Sequence, residues 1–101
     1  MTASAHLEMR GPDVVAIRAN GEFDLSTSRT LARALEDAAR SGCDVVLDLK
    51  AATFVDVYCL RLVLVTQEAV ANLGRKVVVV NAPAVFVRLV DVLEIPDLIA
   101  G

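Results

Sequence analysis

Residues 45–64, VVLDLKAATFVDVYCLRLVL, decide how the rest of the chain is read. A nearly continuous apolar run over residues 44–49 has the character of a strand in a sheet centre, where both faces are covered. The spacing then predicts a tight turn, Thr53-Phe54-Val55-Asp56, and an amphipathic helix from about residue 57 to 73 that closes at Gly74. Its predicted buried positions are Leu60, Val63, Leu64, Val70 and Leu73. Asp56 falls at the helix N-terminus, where a carboxylate accepts free amide hydrogens for a stabilisation of about 0.5 to 2 kcal/mol.

Working outward, turn signals cut the remaining sequence into alternating extended and helical units. Residues 5–10 and 14–19 flank Gly11-Pro12-Asp13 and read as a hairpin, with Asn20-Gly21 as the next turn. Leu31, Ala34, Leu35 and Ala38 recur at helical spacing within residues 26–41, with Ser26 or Thr27 as N-cap and Gly42 as the stop. Four consecutive valines within residues 76–80 favour a strand. Asn81 as N-cap and Pro83 in the first turn then open a third helix over residues 83–93, burying Phe86, Leu89, Val90 and Leu93, and Pro96 marks its boundary.

The order β-β-α-β-α-β-α predicts an α/β fold: a mixed four-stranded sheet, its first strand antiparallel, with three main helices and right-handed crossovers between the parallel strands. With 101 residues, 55% of them apolar, a single domain over residues 1–101 with a modest core is expected. No apolar run approaches the roughly 18 to 20 residues that span a bilayer, so membrane insertion is not expected. The start MTASAHLEMR lacks the basic and apolar regions of a secretory signal, which makes the cytoplasm the expected compartment.

Charge and side-chain chemistry exclude several functions. The net charge is −3 and the ten basic residues stand singly apart from Arg75-Lys76. There is neither a basic stripe for phosphates nor, with one Tyr and no Trp, a stacking platform, so nucleic-acid binding is not expected. His6 is the single histidine, and with Cys43 and Cys59 it makes no zinc site. No Ser or Thr has a partnered base and no glycine-rich phosphate loop is present, so no catalytic, cofactor or metal site is read and the protein is not expected to be an enzyme. Cys43 and Cys59 flank a strand of about six residues, whose length at roughly 3.3 Å per residue forbids a disulfide between them.

Three blocks carry a family resemblance. Asp48-Leu49 with Thr53, Phe54, Asp56 and Leu60 resembles the signature of the STAS domain, the fold of anti-sigma-factor antagonists, in which a strand ends in Asp-Leu and is followed by Thr-Phe-x-Asp-Ser-Ser-Gly-Leu. Gly21-Glu22-Phe23-Asp24 resembles the family's Gly-Glu-(apolar)-Asp after the second strand. Pro83-Ala84-Val85 with Arg88-Leu89 resembles its Pro-Ala-Val-x-Arg-Leu. The blocks lie in the family's order and cover the chain nearly end to end. The family commonly continues into a further strand or helix beyond this point, so a reduced last element is expected after Ile95.

The resemblance implies a docking face at the strand ends, carrying Asp24, Asp56, Val57, Tyr58 and Cys59. The partner it implies is an anti-sigma factor or a related serine kinase of the ATPase fold, and the chain itself is expected as a monomer or weak homodimer. Val57, Tyr58 and Cys59 stand where the family has Ser-Ser-Gly, and the first of those serines is its phosphorylated switch. Val57 has no hydroxyl, so the resemblance implies the scaffold without that switch. The alternative is a non-phosphorylated STAS subunit built into a stress-signalling or transporter assembly. At Cys59, amides of a helix N-terminus would lower the thiol pKa and make a redox sensor; the competing reading is a small, half-buried thiol.

Overall fold

The longest strand, β2 (Val14–Phe23), organises the sheet. In the computed structural model, which describes residues 3–95 together with 98 and 99, β1 (Ser4–Met9) pairs antiparallel with β2, from Ser4 opposite Asn20 to Met9 opposite Val15. Parallel to β2 run β3 (Asp44–Asp48), β4 (Ala52–Val55) and, beyond β3, β5 (Val77–Val80). The main path is β1-β2-β3-β5, and β4 lies off it against β2. The expected mixed sheet with an antiparallel first strand is therefore present, with a fifth strand added.

Helices α1 (Ser28–Arg40), α2 (Val57–Ala71) and α3 (Ala84–Val92) follow β2, β4 and β5. Because the crossovers step in one direction across the sheet, from β2 to β3 to β5, right-handedness puts α1 and α2 on the same face. Strand alternation agrees: Val15, Ile17, Ala19 and Phe23 of β2 are buried while Arg18 and Glu22 are exposed. One continuous core joins these residues to Leu31 and Leu35 of α1, Leu47 of β3, Leu60 and Val63 of α2, and Phe86 of α3.

The structure corrects several local expectations. Asn20-Gly21 does not turn. Gly21 takes φ +95°, a conformation that glycine adopts without a Cβ penalty, and the register shifts between Gly21 and Glu22, so β2 passes through a bulge to Phe23. Residues 53–55 of the expected turn at 53–56 instead belong to β4, whose Thr-Phe-Val composition suits an extended chain once the prolonged β2 offers a ladder.

The helix ends differ too. Thr27 holds the N-cap position of α1 without a capping side-chain bond, and α2 stops at Ala71, leaving Leu73 exposed. Leu64 and Leu89 are only half-buried, and Leu93 is exposed at the end of α3. Asn81 is not an N-cap: it sits at φ +55° and its Nδ2 donates to Asp48 Oδ1 at 2.9 Å, while Pro83 takes the capping position. Pro96 lies outside the described residues. Of the segment beyond Ile95, Leu98 is fully buried in the core and Ile99 makes a parallel bridge to Val79.

Candidate functional site

The end of β2 and the end of β4 are one structural event. Phe23 and Val55 are ladder partners, and the Asp56 amide donates to Phe23 O at 3.1 Å. Asp24 and Asp56 are thus the next residues along two adjacent parallel strands, whose spacing is roughly 4.8 Å. Two carboxylates 32 positions apart in sequence emerge together at one edge, as the expected docking face requires.

The two acids are held differently. Asp56 has extended backbone (φ −90°, ψ 175°), and its Oδ1 accepts from the Cys59 amide at 3.1 Å, the N-cap of α2 anticipated from the sequence. Asp24 organises the loop into α1: its Oδ1 accepts from the Ser26 amide at 2.9 Å, the Ser26 hydroxyl at 2.6 Å and the Thr27 amide at 3.2 Å. Thr27 Oγ1 in turn donates to Glu22 O at 2.7 Å. The Ser26 hydroxyl is the main reason why the Asp24 carboxyl is held below its ordinary pKa; desolvation opposes it, and the two amides add to the lowering. Asp24 therefore presents a fixed negative charge on this edge at neutral pH.

Cys59 lies beneath the edge. It is fully buried, and its Sγ donates to Phe23 O at 3.5 Å, tying the first turn of α2 to the end of β2. Burial pushes its thiol up to about 12, with the Asp56 charge adding to the effect. The thiol-lowering expectation is therefore reversed, since a neighbouring carboxylate and desolvation together outweigh the helix amides. Cys43 is also free and buried.

Exposed apolar side chains flank the carboxylates. Val57 is 55% exposed and Tyr58 41%, both on the first turn of α2. Phe54, two residues before Asp56, and Leu25, next after Asp24, are exposed as well, Leu25 by 71%, and neither is among the residues expected on the docking face. The signal for Phe54 was strand alternation, because Val55 turns inward and is buried, but it becomes readable only once residues 52–55 are known to be a strand. Nothing local marks Leu25.

A third carboxylate sets the frame. Asp48, at the end of β3, accepts from the Lys50 amide and from Asn81 Nδ2, both at 2.9 Å, so it joins the loop after β3 to the loop after β5. The Asn81 bond is the main cause of its lowered pKa, with burial opposing and the Lys50 amide reinforcing. Among the described residues no three His, Cys, Asp or Glu side chains come together as metal ligands, and no helix is long and apolar enough to cross a membrane. His6 lies exposed on β1, opposite Arg18.

A family model described as "Mlab, STAS domain" matches residues 6–100. Comparison with curated protein sequences gave no match. Among solved structures, the Bacillus cell fate determinant SpoIIAA in its phosphorylated form is similar at 17% identity, with a TM-score of 0.80 over 96% of this chain and 89% of that one. An anti-sigma factor antagonist from Mycobacterium paratuberculosis is similar at 20% identity and TM-score 0.79, over 92% and 79% of the two chains. A murine Solute Carrier 26 anion transporter in the inward-facing state matches at 13% identity and TM-score 0.60, over 89% of this chain but 18% of that one. At these identities the likeness establishes the fold.

Proposed function

We propose, from the premise that the chain belongs to the STAS domain family, that it is a regulatory binding protein whose strand-end edge docks an anti-sigma factor or a related serine kinase of the ATPase fold. The observation that carries this reading is the pairing of Phe23 with Val55, which sets Asp24 and Asp56 side by side, next in sequence to the exposed Val57 and Tyr58. Fixed charge next to exposed aromatic and aliphatic surface is the composition of a protein interface core with a polar rim. Cys59 supports the edge from below without reaching its surface.

The same edge lacks the family's switch. A phosphate on a serine at position 57 would add about −1.5 to −2 charges beside two carboxylates and repel a docked partner. Val57 accepts no phosphate, so binding on this reading is not released by ATP through that position.

The test begins with a partner isolated from the native host and identified as an ATPase-fold protein. Incubating the pair with ATP leaves this chain unmodified and bound, whereas Val57→Asp weakens the complex at least tenfold, and Asp56→Ala weakens it less. Phosphate on Ser26, Thr53 or Tyr58 with release of the partner would show a switch carried by another hydroxyl of the edge.

A second reading, a structural subunit of a transporter or stress-signalling assembly, is favoured by the match to a domain that forms 18% of an anion transporter chain. Neighbouring genes separate the two: a sigma factor and an ATPase-fold kinase support the first, permease genes the second.

A further inference from the structure

Folding leaves three large apolar side chains of α2 exposed, Val57, Tyr58 and Val65. Only Arg61 and Glu68 are charged in its sequence VYCLRLVLVTQEAVA, and a helix apolar all round belongs in an interior. Its inner face is covered, with Cys59, Leu60, Val63 and Val70 buried. On the outer side Tyr58, Leu62 and Val65 follow at intervals of four and three, one stripe along the helix: Val65 and Tyr58 are exposed, Leu62 is half-buried and packs partly against the core, and Arg61 and Glu68 are exposed alongside. The stripe starts at Tyr58, which also belongs to the strand-end edge.

Beside this stripe, α1 and α2 enclose an open groove of about 750 Å³. Tyr58 and Leu62 form its wall on the α2 side, and Leu25 and Ala32 supply apolar surface from the other. Arg29 and Arg33 line it on α1, four residues apart and exposed, and neither is in an ion pair among the described residues. Like charges at that spacing repel, so folding alone does not favour them; an anion laid across both would. Glu36 is the single carboxylate lining the groove, three residues beyond Arg33, and gives it a direction: cationic toward the docking edge, acidic at the far end.

We propose that this groove is the second half of the docking surface and receives an acidic amphipathic helix of the protein partner. Carboxylates four residues apart on that helix engage Arg29 and Arg33, and its apolar side chains lie over Tyr58, Leu62 and Val65. The inference deepens the docking reading and rests on it for the existence of a protein partner. It adds that the partner is electrostatically divided, with a cationic group for Asp24 and Asp56 and an anionic helix for the groove. Such division fixes orientation, because a reversed partner would meet like charge at both places.

Synthetic helical peptides test the groove apart from any kinase. One carries two glutamates four apart beside a leucine stripe, a second has lysines in place of the glutamates, and a third keeps the glutamates but replaces the leucines by serine. Titrated into the 15N-labelled full chain, the first peptide gives saturable amide shifts confined to residues 25–36 and 57–65, while the other two bind at least tenfold more weakly. The Arg29→Glu/Arg33→Glu variant exchanges the preference, losing the glutamate peptide and gaining the lysine one, an outcome that misfolding would not produce. Equal response to the glutamate and lysine peptides, shifts centred elsewhere, or no saturable shift overturns the proposal. So does a concentration-dependent homodimer, seen by sedimentation, that is abolished by Val65→Asp and indifferent to the arginine changes, since a second copy would then be the occupant. Because the peptides contain no ATPase fold, their failure leaves the kinase-docking test standing, and failure of that test leaves the peptide result readable.

Discussion

Helices α1 and α2 lie side by side on the same sheet face, yet their sequences solve different problems. In α1, Leu31, Ala34, Leu35 and Ala38 point into the core, while Arg29, Arg33, Glu36, Asp37 and Arg40 face solvent, and Arg40 pairs with Asp37. In α2 the core-facing set is equally well defined, but Val57, Tyr58 and Val65 stand on the outside among Arg61 and Glu68, whereas the exposed side chains of α1 are all charged. One apolar face is enough to fix a helix on a sheet. The exposed apolar side chains of α2 add little to that packing and carry the association hazard of an exposed patch. The two helices therefore differ in how much apolar surface folding leaves in water, and the expectation of an amphipathic α2 held for its inner face alone.

The largest effect expected is shared by both helices. Leu35→Ala in α1 and Leu60→Ala in α2 each remove a buried side chain and should destabilise by about 2 to 5 kcal/mol in urea denaturation. A small effect at Leu60 would mean that α2 is loosely seated and that its outer surface is not a spare face at all.

Next come the helix starts, which are built differently. Asp56→Ala removes the side-chain cap of α2 and should cost about 1 kcal/mol. Thr27 does not cap α1 with its side chain, so the corresponding control is Asp24, whose carboxylate gathers the Ser26 and Thr27 amides one turn earlier.

Titration sharpens the contrast. The folded-state pKa of Asp24 is depressed, so its contribution is present above the unfolded value of 3.8 and is lost as pH falls below it; Asp24→Asn should flatten that acid limb of the stability curve. For Cys59 the sign is opposite. Its folded-state pKa is raised from 9.0 to about 12, so stability is full below pH 9 and declines as pH rises from there through about 12. Cys59→Ala should flatten the alkaline limb, and iodoacetamide at pH 8 should label Cys59 only after denaturation.

The smallest effect is the most informative about the outer face. Val65→Gln should change stability by no more than about 0.5 kcal/mol, because Val65 is exposed and makes no core contact. A loss above about 1 kcal/mol would show that the outer stripe serves the fold after all.

What could be read without coordinates was whatever nearby residues settle among themselves. The periodicity of Leu31, Leu35 and Ala38 fixes α1 within a turn, the valine run fixes β5, and the Asp56 cap needs only the amide of Cys59 three positions on. The edge carrying Asp24 and Asp56 was legible as well, since crossover chirality gathers the ends of parallel strands at one side of a sheet.

Other features depended on residues far apart in the chain. Residues 52–55 are a strand because β2 runs on past the Gly21 bulge to pair with them, about 30 positions earlier, and the same extension brings Phe23 O to the thiol of Cys59. Asn81 leaves its expected capping role for the carboxylate of Asp48, 33 positions away. The bare outer stripe of α2 is also a tertiary fact: apolar residues all round a helix state that each seeks cover, and only the packing of α1, α2 and the sheet determines which of them folding leaves in water. Local hydrogen bonds and side-chain periodicity are short-range and so are written in the sequence. Burial and ladder pairing are set by long-range contacts, whose outcome exists only when the chain has closed on itself.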